Sequence, residues 1–151
     1  MALFIDKLTI SSPDIPALGR FPKEFTADGG NSVPRLEFSG APEGTVEYAV
    51  ILHDPDAPLP HGFTHWVVYG ISPDATSLDL EAPGVHQGPN GAGAGMYYGP
   101  QPPAGHGDHH YYFWIYALNR LVEGDPNREE FLAQYADAII EQARFVGVWQ
   151  S

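Results

Sequence analysis

The sequence predicts an all-β sandwich carrying one C-terminal helix, on three observations. Glycine (17) and proline (15) make up about a fifth of the 151 residues and punctuate short apolar segments rather than forming one linker. Two segments, Val46–His53 and Tyr111–Leu118, are nearly continuous apolar or aromatic runs, as strands covered on both faces require. One stretch near the end instead repeats its apolar residues at helical spacing.

The strands predicted in order are Leu3–Ile10, Leu36–Ser39, Val46–His53, Thr64–Ile71, Tyr111–Leu118 and Phe145–Trp149, separated by Pro/Gly turns. The helix is predicted over about 127–143. Phe131, Leu132, Tyr135, Ala136, Ile139, Ile140 and Ala143 form its apolar stripe, and Glu129, Glu130, Gln134, Asp137 and Glu141 its polar face. Asp125 and Pro126 stand as its cap and first-turn proline. No internal repeat or boundary divides the chain, so residues 1–151 read as one domain. The Gly/Ala stretch 88–95 reads as a flexible loop or as a backbone-lined pocket wall.

Charge excludes some partners. Nineteen acidic residues against seven basic ones give a formal charge of −12, which repels nucleic acid and anionic bilayers unless the cations cluster. They do not cluster. Lysine and arginine are absent between Leu36 and Asn119, and all seven histidines lie within that stretch. Positive charge in the middle of the chain must therefore be imidazolium. No apolar run reaches the roughly 18–20 residues of a membrane helix, so no stable membrane insertion is expected. The opening MALFIDKLTI lacks a basic leader and a cleavage site, so no signal peptide is expected. Absence of cysteine fits a reducing compartment, and a cytoplasmic protein is the expectation.

Three segments carry chemistry. His53-Asp54-Pro55-Asp56-Ala57-Pro58 follows the most buried strand, and its prolines make a rigid turn. Two acids held together can share a proton; alternatively, each bonds the local backbone of the turn. The second segment is His61-Gly62-Phe63-Thr64-His65-Trp66, with His65 just before a core strand, as a site residue or as a satisfied edge histidine. The third runs from Tyr97 to Tyr111, a Pro/Gly-fixed loop ending in His109-His110-Tyr111.

Taken together, DPDAP at 54–58, HWVV at 65–68 and YxGPxPPxGxxxHxY at 97–111 resemble, in order and spacing, the phosphatidylethanolamine-binding protein family. The prokaryotic, Raf kinase inhibitor-like branch is the nearest in pattern, and the resemblance covers roughly residues 21–149. It implies a Greek-key β-sandwich with a small C-terminal helical element and a pocket for an anion or phosphate headgroup. Carried over, Asp54 and Asp56 form an acidic wall, and His65 and His109 are imidazole donors. Tyr97 and Tyr111 hydrogen-bond at the rim or floor, while Pro102, Pro103 and Gly105 shape the loop. Relatives are thought to modulate kinases or proteases, and prokaryotic ones are often homodimers, so a homodimer is expected. Phe63, Tyr98 and Trp149 could pack across a two-fold axis or lie in the core.

The chain departs from the family pattern where the third motif usually reads His-Arg-Tyr: here His110 replaces a permanent charge with a titratable one. His53, His61, His86 and His106 are not required by the motifs, and read as loop residues or as an adaptation to another ligand. No metal or other cofactor is expected. The His61/His65 pair is broken by Gly62 and lies on no credible helix, and neither a cysteine nor a Gly-x-Ser-x-Gly elbow supplies a nucleophile.

Two functions follow. The resemblance favours a binding protein for a small anionic or phosphorylated ligand. Alternatively, Asp54, His65, His109 and Tyr111 serve as general acid and base on a small organic substrate, which the loss of the motif arginine favours. For the binding reading, counter-charge on His65, His109 or His110 makes anion affinity fall between about pH 6 and pH 8.

Overall fold

The computed structural model describes residues 7–151. Among these residues seven strands form two antiparallel sheets. β1 (Thr9–Ser11) pairs with β2 (Glu37–Ser39) in the smaller. The larger has the order β5-β4-β3-β6-β7, with β3 Glu47–Asp54, β4 Phe63–Ile71, β5 His86–Gln87, β6 His109–Leu118 and β7 Ile139–Trp149. β3, β4 and β5 run as an antiparallel meander, and β6 then returns beside β3, which is a Greek-key connection. The predicted first strand is shorter than expected, and its residues 3–6 lie outside the described residues.

Both apolar runs become central strands. β3 is buried at all eight positions because each face meets a different layer. Tyr48, Val50 and Leu52 face Ile10, Leu36 and Phe38 of the small-sheet side, with Trp66, Phe113 and Ile115 of neighbouring strands. Ala49 and Ile51 face the helix side, where Phe131 and Tyr135 pack with Tyr69 and Tyr116. Gly147 on β7 lets Phe21 lie against the sheet; a Cβ there would sit 2.6 Å from the Phe21 ring. Phe21 in turn packs edge-on against Tyr111 at 5.5 Å.

The helix corrects the sequence reading. α1 spans Arg128–Tyr135, a 3-10 turn covers Ala136–Ala138, and Ile139 already begins β7. Its cap is Asn127, which accepts from Glu130 N while the Glu130 side chain accepts from Asn127 N. Asp125, the expected cap, instead meets His86 at 2.7 Å. Ile139–Ala143 satisfies a helical stripe and a strand equally well by pattern. Pairing decides the outcome: β7 runs along β6 from Leu118↔Ile139 to His109↔Trp149 and saturates an otherwise open edge. A bulge after Ala117 leaves Ile140 unpaired and exposed.

Three changes test this packing. Val50→Asp puts an unpaired charge inside a strand covered on both faces and abolishes folding. Phe113→Ala removes a ring stacked on Phe145 at 4.6 Å and costs about 3–5 kcal/mol in urea unfolding. Asn127→Ala costs about 0.5–2 kcal/mol by opening the capping box.

Candidate functional site

Three segments distant in sequence meet at one end of the larger sheet. β3 and β6 pair as far as His53↔Tyr112, which sets Asp54 at the end of β3 beside the start of β6. There Asp54 Oδ2 lies 2.7 Å from His109 Nδ1, both side chains being 3% exposed. β4 contributes His65 through a register break. Leu52 pairs with Trp66 and His53 with Thr64, so His65 is the extra residue of a bulge. The bulge turns His65 to the same side as its neighbour Trp66, with its ring 5.2 Å from that of Tyr111.

These groups border a cavity of about 270 Å³ lined by Asp54, Ala57, Pro58, Leu59, Phe63, His65, Tyr98, Gln101, Pro102, Pro103, His109 and Tyr111. Half of the lining is apolar side chain, and no lysine or arginine belongs to it. Such a wall accommodates an apolar group and leaves orientation to a few polar atoms.

Hydrogen bonds fix the polar atoms. His65 Nδ1 lies 2.6 Å from the Tyr98 carbonyl, which can only accept, so Nδ1 carries the proton. Burial pushes His65 down to about 4, so the ring is neutral around pH 7 and its Nε2 presents a lone pair. Asp54 accepts Asp56 N–H at Oδ1 and faces His109 at Oδ2. Burial raises the Asp54 carboxyl, against the lowering effect of the His109 bond. His106, on the loop between Gly105 and Gly107, brings its Nδ1 to 3.4 Å from His109 Nε2. Among the described residues the buried Tyr111 hydroxyl has no hydrogen-bond partner, and burial pushes its pKa up, so it stays protonated.

The remaining sequence candidates fall outside the cavity lining. The two acids do not share a proton. Asp56 turns to His110, accepting from its backbone N–H at 2.8 Å and meeting Nδ1 at 2.7 Å. Burial raises the Asp56 carboxyl, but the His110 bonds outweigh that and bring it down. His110 is thereby directed away from the cavity, a consequence of side-chain alternation along β6. Tyr97 donates its hydroxyl to the Phe25 carbonyl at 2.5 Å and packs on Trp66, holding the loop from beneath. Gly105 adopts a φ of 82° in the loop after Pro103.

His53 is buried against Thr64, and His86 pairs with Asp125. Among the three large groups considered for a two-fold interface, Phe63 and Tyr98 line the cavity and Trp149 donates to Asp28 at 3.0 Å. Tyr98, Gln101, Leu59 and Phe63 are cavity residues that the sequence reading did not select. Phe63 and Leu59 carried a signal in being large apolar residues within polar turns. Among the described residues no group of three His, Cys, Asp or Glu side chains is placed to hold a metal ion.

A Greek-key β-protein with a cavity between an Asp–His pair, a bulged histidine and a buried tyrosine defines a small-ligand pocket of a particular class. The family model for phosphatidylethanolamine-binding protein matches residues 11–150, and the chain belongs to that family. It is similar to Escherichia coli YbcL, described as a member of the mammalian family. The TM-score is 0.88 at 29% identity, over 96% of this chain and 99% of YbcL. A Chlamydia trachomatis homologue, CT736, gives 0.86 and 29% over 97% and 99% of the two chains. A UPF0098 protein of Mycobacterium bovis is 45% identical over 149 residues, 96% of this chain and 71% of the relative. One from Methanothermobacter thermautotrophicus is 36% identical over 141 residues, 87% and 91% of the two. These matches place the chain in the prokaryotic branch of the family.

The buried histidines set an acid limit on the fold. His53, like His65, is lowered by burial from 6.5 to about 4. Between those values the unfolded chain binds more protons than the folded one, so stability rises with pH and is complete above about 6.5. As pH falls from 6.5 toward 4, each ring withdraws at most about 3 kcal/mol. Asp54 and Glu47, whose carboxyls burial raises, act in the opposite sense. Urea unfolding at several pH values should show this loss, and His53→Gln should remove the His53 share of the slope. A stability that is flat from pH 6.5 to 5 would contradict it.

Proposed function

We propose that this protein binds a small ligand with a phosphoryl-type anionic head and an apolar arm. The observation that carries this reading is the Tyr111 hydroxyl, a buried donor without an acceptor among the described residues, at the border of the cavity. Leaving such a donor unpaired is costly, and a ligand oxygen relieves the cost. Phe63, Leu59, Pro58, Pro102 and Pro103 offer the apolar arm its surface. Family membership supports an anion as the occupant. The imidazolium account of anion binding narrows, because His65 is held neutral and His110 is spent on Asp56. His109 is then the cavity's remaining imidazole.

A second reading rests on the Asp54–His109 pair. A carboxylate that orients a buried imidazole at 2.7 Å is also the arrangement of a general base with its orienting acid. Turnover of a phosphomonoester or another small substrate, lost in Asp54→Asn, would favour it over simple binding.

Phenyl phosphate is the probe for the first reading. Titration calorimetry should show a single site. Tyr111→Phe should weaken binding about tenfold or more while leaving the urea midpoint close to that of the unaltered protein, because a hydrogen bond to a charged group contributes about 1.5–3 kcal/mol. His65→Ala and Asp54→Asn should abolish binding with the fold retained. Full affinity in all three variants would place the ligand elsewhere.

A further inference from the structure

We infer that the protein carries a second site, which binds a primary alkylammonium ion. It lies at the opposite end of β3 from Asp54, with the Glu47 carboxylate as counter-charge and an apolar rim for the alkyl chain. The two cavities share no residue, so this binding is independent of the phosphoryl reading.

Glu47 opens β3 and Asp54 ends it, so their Cα atoms stand about 23 Å apart along the strand. Glu47 is 2% exposed. Its Oε1 accepts from Val122 N–H at 3.3 Å, and among the described residues its Oε2 has no hydrogen-bond partner. Neither protonation state resolves this. A carboxylate leaves a buried acceptor unpaired, and a carboxylic acid leaves a buried hydroxyl without an acceptor. Burial raises the Glu47 carboxyl, while the backbone N–H groups of Gly70 and Val122 draw it down. What the group lacks is a donor at Oε2.

Glu47 borders a cavity of about 230 Å³. Ile71 and Val122 line it from the core, and Val46 and Leu121 stand exposed in its lining. Two of the large apolar side chains that the fold leaves in water are thus gathered around one buried carboxyl. No lysine or arginine belongs to the lining. Arg120, next in sequence to Leu121, is taken by Asp137 at 3.0 Å and by the Gln134 carbonyl at 2.7 Å. His86 from β5 is the one basic side chain in the lining, and its Nδ1 is turned to Asp125 at 2.7 Å. Glu47 is therefore a buried acid whose neighbours' positive charges are already engaged.

The surroundings choose among cations. A divalent metal ion takes several oxygen ligands, and among the described residues no group of three acidic, histidine or cysteine side chains is placed to hold one. A guanidinium uses both carboxylate oxygens for its fork, and Oε1 is already engaged by Val122. An ammonium needs less. One N–H meets Oε2, the others stay in water at the mouth, and a short alkyl chain lies against Val46, Ile71 and Leu121. The formal charge of −12 favours the approach of such a cation.

The test uses the whole protein and n-butylammonium, with two controls of the same chain length. 1-Butanol lacks the charge, and butyltrimethylammonium keeps the charge but has no N–H. An NMR titration should move the Gly70 and Val122 amides with butylammonium, and both controls should bind at least tenfold more weakly. Glu47→Gln keeps an oxygen for Val122 and removes the charge, so it should weaken butylammonium at least tenfold with the urea midpoint preserved. Leu121→Ser, at an exposed position that the fold does not need, should weaken it about threefold by removing apolar contact. Butyltrimethylammonium or 1-butanol binding as tightly as butylammonium would overturn the inference, because apolar contact or bare charge then suffices. Shifts confined to Tyr98 and Gln101 and lost in Asp54→Asn would overturn it by placing the amine in the first cavity. So would amides of Gly70 and Val122 that do not move at all.

Discussion

The pairing of β3 with β6, from Glu47↔Leu118 to His53↔Tyr112, is the constraint on which the site depends. It fixes which end of β3 meets which end of β6. Asp54 and His109 are thereby brought together across 55 residues of sequence, in a place too dry for either to remain unpaired. The buried faces of both strands hold that register, because a slip by one residue would turn Tyr48, Val50 and Leu52 out of one core and Tyr111, Phe113 and Ile115 with them. Site geometry here is a consequence of core packing.

The polar groups then act as a chain of fixed orientations. The Tyr98 carbonyl sets the tautomer of His65, and Asp54 orients His109. Asp54 itself is held by the turn, through the backbone N–H of Asp56. Each bond uses up a donor, which is why the cavity is left richer in acceptors than its histidine content suggests. Histidine count is a poor guide to positive charge when burial decides protonation. Of the seven imidazoles, two are pushed to about 4, chiefly by burial.

Much of this was legible in the sequence, and what was hidden has physical reasons. Val46–His53 and Tyr111–Leu118 announced central strands because strands covered on both faces need unbroken apolar runs. The three motifs named Asp54, His65, His109 and Tyr111, and all four line the cavity. Ile139–Ala143 misled because its residues suit a helix and a strand alike, and only the open edge of β6 decides between them. The bulge at His65 left no local signal, since it follows from how β4 matches β3. Asp56 and His110 looked like partners of Asp54 and His109. His110 points to the opposite face of β6 from His109, and Asp56 follows it from the turn after β3, so they form a second pair outside the cavity instead.

The site account comes down to where one ligand sits. A crystal structure of the protein grown with phenyl phosphate is the most direct measurement. Phosphorus should lie within the cavity, with one oxygen in hydrogen-bond distance of the Tyr111 hydroxyl and the ring against Phe63 and the prolines. Phosphate density on the surface arginines with the Tyr111 hydroxyl still unpartnered would contradict it.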